Sequence, residues 1–417
     1  MSRWQAEKSR KELLQECMNR AVEQNEIAGC ILSIVEDGKE TVYLESGYAD
    51  KESNSTIART DIFRMYSMSK PVTAAAFMKL VEDGYVDLCD PVYRFLPSFR
   101  HQNYLAKLEG CRTEEGGMEP RILSLGDEHA MTIGHLLNMT SGLVYPDETI
   151  PGKETDYIVQ DAVNRLGTEH AMTTQEFADR IGSCTLLFKP GTSWHYGVSA
   201  DILGAIIEVI TGMSFADFVK ESILDPCGMT DTAFYVPSEK RSRLVTAYEN
   251  LEGKEGVELV PYTGCHLAIR NQGEPNSFES GGAGLFSTLD DYAQFTQMLM
   301  NQGMAGNGKR VLRRGTVRYM TTGCLSHGQQ LAFDEWHGLE GYSYGRLNRV
   351  LWEPGEAMTI GHKGEYGWDG WLGTYFNNDP QMHRTILLFL NQKDYGTGRM
   401  TRQIRNIIHS WDDGNMR

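Results

Sequence analysis

The sequence predicts an α+β fold: an antiparallel sheet assembled from both ends of the chain, flanked by N- and C-terminal helices, with a large and mostly helical insertion between. Three observations carry this expectation. β-Rich runs cluster towards the two ends, helical spacing dominates the middle, and each end carries a helical pattern of its own. At about 150 residues per domain, 417 residues amount to two or three units, or one large domain with an insertion.

Taken in order, residues 5 to 25 place Leu13, Leu14, Met18 and Val22 on one helical face, with Gly29 as a stop. CILSIVEDGKETVYLESGYAD then reads as two antiparallel strands around Asp37-Gly38, a dipeptide that marks a tight hairpin. From Lys70 to about Leu224 the strand signal gives way to helical stretches such as PVTAAAFMKLVEDGYV and ADILGAIIEVITGMSFADFVKESIL. A turn-rich passage runs to about Ser280. Gly281-Gly282-Ala283-Gly284 follows, then a helix opened by Thr288 with Asp291 three residues on, a capping spacing. Beyond Arg346 the β signal returns in RLNRVLWE, GTYFNN and RTILLFLNQ, and a helix from about Met400 to Trp411 closes the chain. This order assigns residues 1–70 and 281–417 to a discontinuous sheet domain and 71–280 to a mainly helical one, with a site at their junction.

Composition narrows the function. With 41% hydrophobic and 23% charged residues the chain is an ordinary globular protein. Its 40 basic and 56 acidic residues give a net charge of −16, which repels phosphate backbones and anionic lipid surfaces, so neither nucleic acid nor membrane is an expected partner. No apolar run approaches the roughly 18 residues of a membrane span, and the first residues lack the apolar stretch of a secretory signal, which together point to the cytoplasm. Eight scattered cysteines form no CxxC pair and read as reduced core thiols; eleven histidines offer no HExxH spacing, so neither metal nor cofactor is expected.

Among all the serines, only Ser67 has a lysine three residues on, Lys70. Alone, S-x-x-K is a weak motif that ordinary composition produces by chance. Here it falls where strand patterning gives way to a helix, so the hydroxyl sits near the positive end of the helix dipole and the ammonium shares its face. A serine hydroxyl needs such a base, and a lysine can serve if desolvation lowers its pKa. Two rival motifs compete. Gly341-Tyr342-Ser343-Tyr344-Gly345 matches a nucleophile elbow, but a strand follows it where that motif needs a helix. The aromatic group Trp352, Tyr366, Trp368, Trp371 and Tyr375 reads either as core or as an apolar substrate wall.

Around Ser67 the sequence resembles the serine β-lactamase-like hydrolases: class C β-lactamases, penicillin-binding DD-peptidases and family VIII carboxylesterases. The landmarks are FRMYSMSKPVTA, HLLNMTSGL, FKPGTSWHYGVSADILG, ILDPCGMTDT, SGGAGLFSTLDDYAQF and GWDGWLGTYFNNDP, in family order from about Ala28 to Asn391. The resemblance implies a β-lactamase/transpeptidase-like fold with Ser67 as acylated nucleophile, Lys70 as its base partner and Tyr196 as the second-motif phenol. A lysine beside the phenolic oxygen would favour phenolate, making Tyr196 a proton carrier. Trp368-Asp369-Gly370 resembles the third motif, with the backbone N–H of Trp371 joining that of Ser67 as the oxyanion hole. Val198 stands where the lactamases carry asparagine, and the third motif lacks their lysine. Both departures remove polar recognition of penicillins and favour ester substrates over β-lactams or D-amino-acid amides. Asp369 would repel an anionic substrate unless turned away. His362-Lys363-Gly364 offers a rival third motif, with His362 as a substrate contact and Lys363 as the missing cation. The expected partner is therefore a small ester or amide, cleaved through an acyl-enzyme on Ser67; a catalytically silent binding scaffold is the remaining reading.

Overall fold

A computed structural model describes residues 8–112, 118–253 and 256–411. The strands in chain order are β1 (Gly29–Glu36), β2 (Lys39–Asp50), β3 (Ser55–Thr56), β4 (Phe63–Arg64), β5 (Asn103–Arg112), β6 (Met118–Ser124), β7 (Tyr248–Gly253) and β8 (Gly256–Pro261). They continue with β9 (Phe286–Ser287), β10 (Tyr342–Tyr344), β11 (Arg349–Leu351), β12 (Tyr366–Asp369), β13 (Tyr375–Asp379) and β14 (Arg384–Phe389). Eight of them form one antiparallel sheet in the order β10-β11-β12-β13-β14-β1-β2-β3. The first and last long strands are neighbours, Ile31 opposite Phe389 and Val35 opposite Thr385. Both are buried on both faces, which is why CILSIV and TILLFL are continuous apolar runs rather than alternating ones.

Each face has its own cover. Leu14, Cys17 and Met18 of the N-terminal helix Arg10–Glu23 and Met400, Ile404 and Ile408 of the C-terminal helix Arg399–Ser410 pack on Leu32, Ile34, Ile386 and Leu388. Ile31, Leu387 and Phe389 point the other way, into the core built on the almost wholly buried helix Ser69–Glu82. Ser9 and Glu12 close a reciprocal capping box on the first helix. At the first hairpin Asp37 (φ 50°) and Gly38 (φ 75°) both take left-handed backbone, the geometry that Asp-Gly supplies at low cost.

The sequence expectations need several corrections. The stretch from Lys70 to Leu224 is not free of strand, because β5 and β6 form a hairpin within it, and β7 and β8 form another in the turn-rich passage. On these ribbons Ile122, Leu251 and Val257 are about half exposed, whereas Tyr248 and Leu259 are buried against Ala28. Cys17, Cys30, Cys184 and Cys227 are buried as expected, whereas Cys89 and Cys265 are exposed and Cys324 is intermediate. The Cys111 side chain and residues 5 to 7 of the first helix lie outside the described residues. Ser343 is buried in edge strand β10, without the strand-turn-helix setting of a nucleophile elbow. Among the described residues no single helix is long and apolar enough to cross a membrane.

Candidate active site

Ser67 lies in the short 3₁₀ turn Tyr66–Met68 that leads directly into the helix Ser69–Glu82, one step earlier than the first α-helical turn. The turn is anchored on both sides. Short β4 before it pairs with β9, and Tyr66, at φ 43°, is held in left-handed backbone by a 2.9 Å hydrogen bond from its hydroxyl to Asn271 Oδ1 and by edge contact with Trp371.

One turn on, the fully buried Lys70 places Nζ 3.2 Å from Ser67 Oγ, 2.8 Å from the Tyr145 hydroxyl and 2.9 Å from the Gly282 carbonyl oxygen. Burial lowers its pKa from 10.5 to about 7, against the opposing pull of the Asp201 and Asp369 carboxylates. A neutral amine has two N–H donors and one lone pair. The Gly282 carbonyl can only accept, and the Tyr145 oxygen can take the second N–H, so the lone pair is left for the Ser67 hydroxyl.

Tyr196 stands across from this pair. Its hydroxyl accepts from Trp368 Nε1 at 3.1 Å, and Lys70 Nζ lies 4.5 Å from its ring centroid, against the ring face. Burial pushes its phenol above the usual range, with hydrogen bonding to Ser67 and Trp368 pulling the other way. The phenolate expected from the sequence is thereby corrected: the phenolic oxygen hydrogen-bonded to Lys70 is that of Tyr145, and burial raises both phenols.

Behind Lys70 lies a second layer. Asp201, buried in the helix Ser199–Thr211, accepts from Ser280 Oγ at 2.5 Å and from the Gly282 N–H at 3.0 Å, which fixes the loop whose carbonyl holds Lys70. The loop has no space for side chains. A Cβ at Gly281 would meet the Ala200 carbonyl, and one at Gly282 would come within 2.8 Å of both Asp201 Oδ2 and the Tyr145 hydroxyl.

The third-motif segment arrives on the turn between β12 and β13. The Gly370 N–H donates to the Thr374 carbonyl at 2.7 Å, Gly373 takes φ 91°, and Thr374 Oγ1 donates to the Met65 carbonyl at 3.2 Å. The turn thus packs on the chain just before Ser67, and a Cβ on Gly370 would lie 2.5 Å from that same carbonyl oxygen. Among the described residues neither the Ser67 nor the Trp371 backbone N–H donates to another backbone group. Both residues border a cavity of about 490 Å³ that is also lined by Tyr145, Tyr196, Trp368 and Asp369. Trp371 is fixed by stacking on His266, with centroids 4.0 Å apart, and by donating Nε1–H to Asp394 Oδ1 at 2.6 Å. Asp369 pairs with Arg349, which is buried on β11, so its charge is matched within the protein.

Ser67, Lys70, Tyr196, Trp368, Asp369 and Trp371 are therefore brought together, whereas Val198, Gly370 and His362 do not border the cavity. Val198 is a buried core residue at the start of the helix Ser199–Thr211 and does not line the cavity. Gly370 acts through its close backbone contact rather than as cavity wall. His362 lies at the far end of the β12–β13 hairpin, hydrogen-bonded to Asp379, because the chain reverses between it and the site. Neighbouring Lys363 pairs with Glu353 over the Trp352 ring, away from Ser67. Of the aromatic group, Trp368 and Trp371 face the cavity, Tyr366 and Tyr375 are core, and Trp352 is half exposed.

Sequence reasoning missed Tyr145, Asp201, Gly282 and Arg349. Tyr145 lies two residues beyond the quoted HLLNMTSGL, while Asp201 and Gly282 sit inside quoted landmarks without an assigned role. Only the folded chain shows that Tyr145 and Gly282 contact one amine and that Asp201 holds the Gly282 loop.

Known proteins resemble this chain over most of its length. A family model described as β-lactamase matches residues 14–408. Esterase EstB of Burkholderia gladioli is 27% identical over 407 residues, covering 94% of this chain and 93% of its own. Protein Rv1367c of Mycobacterium tuberculosis is 30% identical over 373 residues, covering 88% and 86%. Among solved structures, EstCE1, described as a hydrolase with promiscuous acyltransferase activity, superposes with a TM-score of 0.75 at 24% identity over 96% of this chain and 98% of its own. Simvastatin synthase LovD of Aspergillus terreus also reaches 0.75, at 19% identity over 98% and 100%. These two establish the β-lactamase/transpeptidase-like fold, and with the family model spanning nearly the whole sequence, the chain belongs to the β-lactamase family.

Proposed function

We propose that this protein is a serine hydrolase that cleaves carboxylic esters through an acyl-enzyme on Ser67. The observation that carries the reading is the buried Lys70 amine, brought to about pKa 7 and hydrogen-bonded to Ser67 Oγ while its other contacts occupy its N–H groups.

Neutral Lys70 takes the Ser67 proton as Oγ attacks the ester carbonyl. The oxyanion forms between the N–H groups of Ser67 and Trp371; one such donor stabilises the transition state by about 3 kcal/mol. On collapse the C–O bond to the alcohol breaks and the departing oxygen takes the proton held on the Lys70 ammonium, while the Tyr196 hydroxyl, positioned by Trp368, donates a hydrogen bond to that oxygen. Water then enters, loses a proton by the reverse route, and releases the acid and free Ser67. Arg349 beside the third motif is paired with Asp369, which supports esters over penicillins, although Arg402 also lines the cavity. The esterase name of the Burkholderia relative supports the same choice.

A second reading, acyl transfer to an alcohol in place of water, has an observation of its own. A further cavity of about 1140 Å³ adjoins the first, sharing Tyr145, Tyr196 and Trp336, and it offers room for an acceptor.

The test compares p-nitrophenyl butyrate, nitrocefin and a D-alanyl amide, with wild type and Ser67→Ala. Rapid ester turnover that falls at least about 10³-fold in Ser67→Ala is expected. Ester turnover surviving in Ser67→Ala, or nitrocefin as the better substrate, would overturn the reading.

A further inference from the structure

The end of the β12–β13 hairpin remote from Ser67 gathers side chains that the reaction does not use. His362 Nδ1 lies 2.6 Å from Asp379 Oδ2, and His409 Nδ1, from the C-terminal helix, lies 3.9 Å from the same oxygen. The three ligand atoms fall within 4.8 Å of one another. We propose that His362, Asp379 and His409 form a binding site for a divalent transition-metal ion, with zinc as the ion that suits two imidazoles and a carboxylate.

The donors match the chemistry. Zinc bonds of about 2.0–2.2 Å in a tetrahedron set ligand atoms roughly 3.4 Å apart, so modest side-chain shifts suffice: Asp379 and His409 close by about half an ångström and the His362–Asp379 hydrogen bond opens. Asp379 Oδ1 accepts the N–H groups of Gln381 at 3.0 Å and Met382 at 3.2 Å, which turns Oδ2 towards the two histidines.

A second, independent observation points the same way. Glu365 is fully buried; its Oε1 is taken by Arg405 and by the Tyr342 hydroxyl, and its Oε2 has no hydrogen-bond partner. That oxygen faces His409 Nε2 at 3.6 Å. When Nδ1 of a histidine binds a metal, Nε2 carries the proton and needs an acceptor, commonly a carboxylate, and Glu365 stands where that acceptor belongs. The His362 side chain is 20% exposed, which puts it at the rim of the cluster. The ligands come from three separate segments, so no spacing motif announces them.

The test uses the full-length chain, dialysed against EDTA and titrated with ZnCl₂ by calorimetry and with Co²⁺ by visible absorption. One equivalent of Zn²⁺ per chain, a tetrahedral Co²⁺ spectrum and a melting temperature raised by about 3 °C or more are expected. His362→Ala sits at the rim, where loss of the ring leaves the core intact, and should weaken Zn²⁺ binding at least tenfold; His409→Gln should do the same. Fluorophosphonate labelling of Ser67 reports that each variant is folded, independently of metal. Wild type that takes up no stoichiometric Zn²⁺, or uptake undiminished by His362→Ala in a variant that still labels, would overturn the site.

Discussion

In the proposed mechanism Lys70 sets how the enzyme responds to pH. Its folded pKa is lowered from 10.5 to about 7, and the neutral amine is the reactive form, so kcat/KM should rise with pH along an acid limb centred near 7. A flat profile between pH 6 and 8 for p-nitrophenyl butyrate would contradict the assignment. By linkage the unfolded chain binds this proton between about pH 7 and 10.5 while the folded chain does not, so Lys70 makes stability rise with pH across that window. Tyr145→Phe removes an oxygen held 2.8 Å from Nζ and should cut kcat at least about tenfold with little change in KM, and Tyr196→Phe should cut it about 10² or more. Steady-state kinetics on the two variants measures the difference. At this scale the site was partly legible: Ser67 and Lys70 share one helical turn, so spacing alone suggests them. Tyr145 and Gly282 meet the amine, and Asp201 holds the Gly282 loop, only after three segments converge, and no local pattern records that.

Elements show why some expectations failed. Residue order placed His362 seven residues from Asp369, but the hairpin runs Tyr366 to Asp369 towards the site and returns to Asp379 at the other end. Proximity in sequence was therefore proximity to the wrong end of a strand. The β5–β6 and β7–β8 ribbons escaped notice for a different reason: they are two-stranded hairpins apart from the main sheet, and Ile122, Leu251 and Val257 on them are about half exposed, which blurs the alternation that marks a strand. The β12–β13 turn supports a sharper expectation. Gly370→Ala drives a methyl against the Met65 carbonyl that precedes the nucleophile, and should lower kcat by about 10² or more through a displaced oxyanion donor while circular dichroism stays native. On the neighbouring strand Arg349→Met leaves Asp369 without its partner and should destabilise by about 3–5 kcal/mol, whereas Arg349→Met with Asp369→Leu should recover most of that in denaturant melts.

Across the whole molecule the general plan was readable because both ends carry apolar strands and an apolar helix face that need each other. Ile404→Ala, in the core that the two terminal helices share, should cost about 2–5 kcal/mol and lower the melting temperature while leaving kcat/KM at 25 °C unchanged, as scanning calorimetry with parallel assays would show. The shared sheet also bears on how the chain is made. Strand β1 is complete at Glu36, yet one of its two neighbours, β14, begins only at Arg384. At 5 to 20 residues per second, a ribosome takes roughly 20 to 70 seconds to bridge that interval. Throughout it the nascent protein carries an open, apolar strand edge. That edge is a place where an unfinished chain can pair with another, whatever the stability of the finished molecule.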